Sequence, residues 1–470
     1  MGQFSRLGKN TLLVFIGKIG SGIIGFVMLP LYTRWLSVEE FGLSDILSVY
    51  SSFIVILATC CIGESLFIFP KGKSDNEKTK YFSSGMNFVF AIMGITACIF
   101  LSLQIIANAY EITNSFIDNI WFIYLLVISS SLQQLFQQFT RSIDKMTVFS
   151  TTGVVNTFGI ALFAFAFIPF WRLSGYILSL VCANIVSGLY SFIASKSYKY
   201  LNLIYIKKEV LLSMLKYSVP LMPNGVMWWL VSSLNRPLME SHLGLNEIGI
   251  YAVAGKFPAL LNMVFTIFST SWQISVIEEF QTDNYKDFYN RVFKIIFVIL
   301  SIVLVAISLF SKIFVRIFAD ADFYSAWKYI PILTIGALFS CLSSYVGANF
   351  SATRESKYFF YSSIWGAVVS VVLNLLLIPM FGLWGVCAAV VASFVAITIC
   401  RLIYSWKYAP ISMLYKYVIL LLLSGLVVGS VTIELSYYII SFCVFAFFAY
   451  SIYLCKNEYR LICSLLSKKK

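Results

Sequence analysis

A single histidine, His242, serves a chain of 470 residues, which excludes a multi-histidine metal centre. No Cys-x-x-Cys pair occurs, so a zinc ribbon is excluded as well. Most of the ten cysteines, Cys60, Cys61, Cys98, Cys182 and Cys341 among them, lie inside apolar runs, where they act as small hydrophobes rather than as a disulfide framework. No P-loop and no G-x-G-x-x-G fingerprint is present. Charge is scarce: Asp, Glu, Lys and Arg make up 12% of the residues, against about 25% in an ordinary soluble domain. In its place stand 60% hydrophobic residues, 17% aromatics and a mean hydropathy of +0.86. A soluble fold of this size could not hide that much apolar surface. The chain reads as an all-α polytopic membrane protein.

A spanning helix takes about 20 mostly apolar residues, and about fourteen such segments can be drawn along the chain. They run from 12–31, 43–67 and 82–107 to 417–433 and 436–454. Segment 215–239 is the poorest, interrupted by Pro220, Pro223 and Pro237. An even number places both termini on one side. Placing that side in the cytoplasm gathers most of the 34 Lys and Arg there, including Lys71, Lys145, Lys207, Arg291, Lys294, Arg401, Lys416 and Lys456. That is the positive-inside pattern. It accounts for the net charge of +13 through orientation and attraction to anionic lipid, and nucleic acid is not implied. Residues 1–10 lead straight into the first segment with no small-residue cleavage site, so no cleaved leader is expected.

Displacing the sequence along itself aligns Pro30 with Pro237, Leu36 with Leu243, Glu40 with Glu247 and Gly42 with Gly249. A nearly equal displacement aligns Pro169 with Pro379, Leu173 with Leu383 and Gly175 with Gly385. The repeating unit is six helices long, so the copies keep one orientation in the membrane. The expected organisation is an N-lobe over 1–200, a C-lobe over 201–407, and a C-terminal helix pair with a basic tail over 408–470. Two such bundles favour a cleft between them and rocking between inward-open and outward-open states, with prolines as bending points.

A mid-membrane Lys, Arg or Asp costs about 2.5–3.5 kcal/mol on insertion scales. Five charges nevertheless fall inside predicted spans: Lys18, Asp45, Glu64, Arg236 and Lys256. Arg236 and Lys256 flank one outer turn, with Glu240 the one acid of that region in view, which predicts a positively charged cavity to which Lys18 adds. All of these but Lys256 also have a structural reading. Asp45 can pair with Arg34, Lys18 with Glu64, and Arg236 can snorkel to the interface. Amides in the spans, Asn235, Gln134 and Gln137 among them, suit sugar hydroxyls or serve as hydrogen bonds between helices. No catalytic residue and no metal site is read from the sequence.

The runs LPLYTRWLSVEEFGL from Leu29, KYSVPLMPNGVMWWLVSSLNRPLMESHLGLNEIGIYAVAGKF from Lys216 and IPMFGLWGVCAAVVASF from Ile378 resemble the polysaccharide-exporter family. This family holds the O-antigen repeat-unit flippases and belongs to the multidrug/oligosaccharidyl-lipid/polysaccharide superfamily. The resemblance implies a non-enzymatic flippase in the bacterial inner membrane, both termini cytoplasmic. Its substrate would be an undecaprenyl-pyrophosphate-linked oligosaccharide moving to the periplasmic leaflet. The further partners implied are membrane lipids, a polymerase and a chain-length regulator. Lys18, Arg236 and Lys256 would meet the pyrophosphate. No cofactor is implied beyond H+ or Na+ coupling, for which Asp45 and Glu64 are the candidates. Two other readings stand beside it, a cation-coupled multidrug antiporter and a membrane polysaccharide polymerase or glycosyltransferase. Short outward loops and polar groups within the spans favour transport.

Overall fold

Long apolar runs broken by capping and turn residues fold as helix after helix. The computed structural model describes residues 20, 22–202, 207–454 and 456, and no strand occurs among them. Among the described residues eleven helices are long and apolar enough to cross a bilayer. The chain divides into two compact units, Met1–Gly249 and Ile250–Lys470.

In the first unit α1 (Leu29–Trp35) carries Pro30 in its first turn, a place where proline's missing N–H costs little. Next come α2 (Val38–Thr59) and α3 (Ile62–Ile68). Ser37 caps α2 in a capping box, its hydroxyl accepting from the Glu40 N–H at 3.2 Å while the Glu40 carboxylate accepts from the Ser37 N–H at 2.9 Å. Then follow α4 (Asp75–Ala109), α5 (Ile120–Ser142) and α6 (Met146–Ala194). The unit's apolar core includes Phe82 stacked on Phe139 with ring centroids 4.1 Å apart. The segment expected as one span over 43–67 is broken: Cys60 and Cys61 both take the left-handed conformation, with φ of 48° and 54°, and this separates α2 from α3.

The α6 helix holds two of the expected spans, joined at a kink. Arg172 there has φ 44° and ψ −120°, the first central position of a type II′ turn and normally glycine's place. The repeat-matched stretch in the second unit makes the same turn with Gly382, at φ 57° and ψ −134°. Behind each turn a glycine lies on the preceding helical backbone. A Cβ on Gly175 would stand 2.5 Å from the Phe167 carbonyl oxygen, and one on Gly385 would stand 2.1 Å from that of Leu377. The repeat read from the sequence is thus a repeat of local geometry.

The proline-rich segment expected over 215–239 is assembled from pieces: α7 (Lys208–Ser218), a short 3-10 turn (Val219–Leu221), α8 (Met222–Ser232) and α9 (Asn235–His242). Helix α10 (Leu245–Glu279) carries the chain from the first unit into the second.

The second unit continues with α11 (Tyr285–Leu309), α12 (Ile330–Ala352), α13 (Lys357–Phe381), α14 (Leu383–Ser405), α15 (Leu414–Thr432) and α16 (Tyr437–Leu454). Its centre is aromatic. The Trp272 ring stacks on Tyr345 with centroids 4.4 Å apart, and the Trp272 indole N–H donates to the Tyr345 carbonyl at 3.1 Å. The Tyr345 hydroxyl donates in turn to the Tyr289 carbonyl at 2.7 Å. Outward faces stay bare and apolar, as with Phe170 on α6 and Phe442 and Phe445 on α16, which suits contact with lipid tails.

Candidate functional site

One group of polar side chains in the first unit collects where α9 lies against α2. At about 1.5 Å per residue Asp45 stands about 10 Å from the first residue of α2. Its carboxylate accepts from the Arg236 Nε at 3.2 Å. Arg236 also donates through Nη1 to the Ser232 carbonyl at 2.6 Å and to the Asn235 side-chain oxygen at 3.0 Å. Asn235 is buried. Both ends of the ion pair keep partial exposure, 18% for Arg236 and 24% for Asp45.

One turn on, Glu240 accepts from the Tyr50 hydroxyl at 2.5 Å. The Trp229 indole N–H donates to the Val49 carbonyl at 3.2 Å, and its ring packs on Phe53 with centroids 4.4 Å apart. Beside Tyr50 and Glu240 opens a cavity of about 710 Å³, also lined by Asn114, Phe116, Pro237 and Ser241.

These contacts correct two expectations. Asp45 pairs with Arg236, not with Arg34, because α9 brings the guanidinium onto the carboxylate's face of α2. Arg236 is consequently not a cation without an acid: Asp45 holds it, while Glu240 is engaged by Tyr50. The cationic lining expected at this level is neutralised on the Arg236 side.

Glu64, in the first turn of α3, accepts from the Gln138 side-chain amide at 3.3 Å. Its proposed partner Lys18 lies outside the described residues. Gln137 donates to the Phe149 carbonyl at 3.1 Å and accepts from Gln133 at 3.2 Å, an arrangement that ties α5 to α6. Gln134 is exposed. Lys256 is exposed on α10 and makes no ion pair among the described residues. Arg236, Asn235 and Asp45 are thus brought together, and Glu64 lies with the glutamines of α5.

One buried charge escaped the sequence reading. Arg401, expected with the inner-loop cations, is buried within α14. Its Nε donates to the Ser362 hydroxyl at 3.1 Å and its Nη1 to the Ser343 carbonyl at 2.9 Å. The guanidinium also stands 5.0 Å from the Phe359 ring centroid. A cation so near the predicted end of a span gives no sign of which way its side chain turns.

The family model described as "Polysaccharide biosynthesis protein" matches residues 7–273, and the MatE model matches 228–376. No curated protein matches the chain by sequence. Among solved structures, the lipid II flippase MurJ in an inward closed conformation aligns with a TM-score of 0.64 at 15% identity, covering 97% of this chain and 99% of that one. An inward-facing multidrug resistance MATE family transporter of the MOP superfamily aligns with a TM-score of 0.63 at 13% identity, covering 84% and 99%. A MOP superfamily transporter from Pyrococcus furiosus gives 0.58 at 13% identity, covering 86% and 96%. The two-lobed all-helical fold is therefore the one these flippases and transporters share. With more than half its length matched by one family model, the chain belongs to the polysaccharide biosynthesis protein family and is built on the fold of the MOP superfamily.

Proposed function

We propose that the protein is a lipid-linked oligosaccharide flippase. In this reading it moves an undecaprenyl-pyrophosphate-linked repeat unit, of O-antigen or capsule type, from the cytoplasmic to the periplasmic leaflet of a bacterial inner membrane by alternating access. One observation carries the reading: a chain of the polysaccharide biosynthesis family is built throughout as a transporter fold. A biosynthesis protein of that build contributes by moving an intermediate, and the intermediate that a membrane confines is the lipid-linked one.

The substrate's pyrophosphate is a dense anion that lipid cannot stabilise. Lys256 and Lys18 are proposed to meet it directly. Arg236 is proposed to join them by exchanging Asp45 for phosphate oxygens, since a guanidinium binds both anions by the same paired N–H geometry. Asn235, Gln134 and Gln137 are proposed to face the glycan. Asp45, released in that exchange, or Glu64 is proposed to take the coupling H+ or Na+. A polymerase and a chain-length regulator would act on the product.

The test is deletion of the gene followed by leaflet-resolved detection of lipid-linked repeat units. Accumulation on the cytoplasmic leaflet, reversed by the wild-type gene, is the expected result; an unchanged distribution sinks the proposal. A second reading, a cation-coupled multidrug antiporter, draws on the MatE match over 228–376. It predicts that deletion raises sensitivity to cationic drugs and leaves the surface glycan intact.

A further inference from the structure

The helix pair α15 and α16 lies outside the duplicated six-helix units, so the repeat assigns it no part. Where α11 begins, α15 begins and α16 ends, the second unit holds a cavity of about 520 Å³, within the range of small-ligand sites. Asp287, Arg291 and Lys294 succeed one another at i, i+4 and i+7 on one face of α11 and line one wall. Lys416 lines it from the first turn of α15 and Lys456 from just beyond α16. Among the described residues the lining thus carries four cations and one carboxylate.

The walls are fastened to each other. The Asn290 side-chain oxygen accepts from the Ser412 N–H at 2.7 Å and from the Ser412 hydroxyl at 3.1 Å, and its amide donates to the Pro410 carbonyl at 3.1 Å. The Tyr450 hydroxyl donates to the Lys416 carbonyl at 3.2 Å. Tyr417 and Leu454 give the cavity an apolar floor. From its rim the outer faces of α15 and α16 run on bare and apolar, with Leu422, Phe445 and Ile452 all well exposed.

We infer that this cavity holds a resident anionic phospholipid of the leaflet. Arg291, Lys416 and Lys456 take its phosphate, and its acyl chains lie on the bare faces of α15 and α16. The charge pattern selects a phosphate-bearing group. The apolar floor and the adjoining lipid-facing surface select a lipid over free phosphate. The positive-inside pattern puts the site in the leaflet where anionic lipid meets basic pockets between helices. The helix pair is on this view an anchor that fixes the second unit to its leaflet, whatever the protein transports.

The experiment uses the full chain in a neutral detergent and follows its thermal unfolding with added phosphatidylglycerol, phosphatidylcholine or inorganic phosphate. Phosphatidylglycerol is expected to raise Tm, with the other two giving little. The variant Arg291→Gln/Lys416→Gln/Lys456→Gln is expected to lose more than half of that rise. A control with exposed cations removed elsewhere, Arg34→Gln/Lys145→Gln/Lys208→Gln, is expected to keep it. Should the triple variant fail to fold, Lys456→Gln alone carries the same expectation at smaller size, read also as phospholipid phosphorus retained through purification. A full rise in the pocket variant, an equal loss in the control, or an equal rise with phosphatidylcholine or inorganic phosphate overturns the inference.

Discussion

Gly42 and Gly249, aligned by the internal repeat, meet where the first turns of α2 and α10 cross. A Cβ on Gly42 would fall 2.0 Å from the Leu245 carbonyl oxygen and 2.8 Å from the Gly249 nitrogen, and one on Gly249 would fall 2.1 Å from the Val38 carbonyl oxygen. Each glycine leaves room for the other helix's backbone, which cannot yield as a side chain tip can. Gly42→Ala and Gly249→Ala are each expected to destabilise the protein by about 1–3 kcal/mol, the usual range for overpacking. Gly94→Ala on α4, where a Cβ meets nothing within 4 Å, is expected to be neutral or mildly stabilising. Thermal unfolding of the purified variants checks the contrast; equal Tm values for all three reject the crossing.

Arg172 and Gly382 make one turn with different residues, and the difference predicts opposite signs. Arg172 occupies a glycine conformation, a strain of about 1–3 kcal/mol. Its ion pair to Glu40, 2.8 Å long and largely exposed on the arginine side, returns about 0–1 kcal/mol. Arg172→Gly is therefore expected to leave Tm unchanged or raise it, whereas Gly382→Ala lowers it. A fall in Tm for Arg172→Gly would mean that the salt bridge outweighs the backbone.

The Arg236–Asp45 pair separates folding from transport. Removing one member of a fully buried pair costs about 3–5 kcal/mol, and the partial exposure of both ends here makes the loss smaller. Arg236→Ala and Asp45→Asn are each expected to lower Tm, and Arg236→Gln combined with Asp45→Asn to recover part of it. Arg236→Lys should retain some surface glycan, while the recovered double variant makes none if the guanidinium meets substrate. Normal glycan in that double variant would leave the pair a purely structural role.

Lys256 supplies the complementary case. It is exposed and without an ion-pair partner among the described residues, so Lys256→Ala is expected to keep the folding free energy within about 0.5 kcal/mol of wild type, as surface substitutions do, with Tm hardly moved. The same variant is expected to abolish surface glycan. Wild-type glycan levels in a normally folded Lys256→Ala protein would remove this lysine from the proposed path.

Much of this architecture is legible in the sequence, because long apolar runs and repeated Pro and Gly positions have direct backbone consequences. The glycine pairs of the repeat fall at tight backbone approaches, and the prolines of 215–239 divide that segment into short helices. Other features left no local trace. The Asp45–Arg236 contact joins residues far apart in the chain, and no periodicity encodes which acid a distant arginine will reach. Arg401 looked like a loop cation because the edge of a span is blurred over a turn or more. Arg172 has the side chain least suited to its conformation, so only its alignment with Gly382 betrays the turn. The Thr-Cys-Cys-Ile run gives no hint of a break, since neither glycine nor asparagine marks the two left-handed residues.

That break decides where the two thiols stand. Helix α2 has 22 residues, which at about 1.5 Å each reach about 33 Å, enough by themselves to cross a hydrocarbon layer about 30 Å thick. The chain turns at Cys60 and Cys61 only after that distance. With the turn set at that distance, the Cys60 and Cys61 thiols are expected to react with membrane-impermeant reagents from one side of the membrane alone.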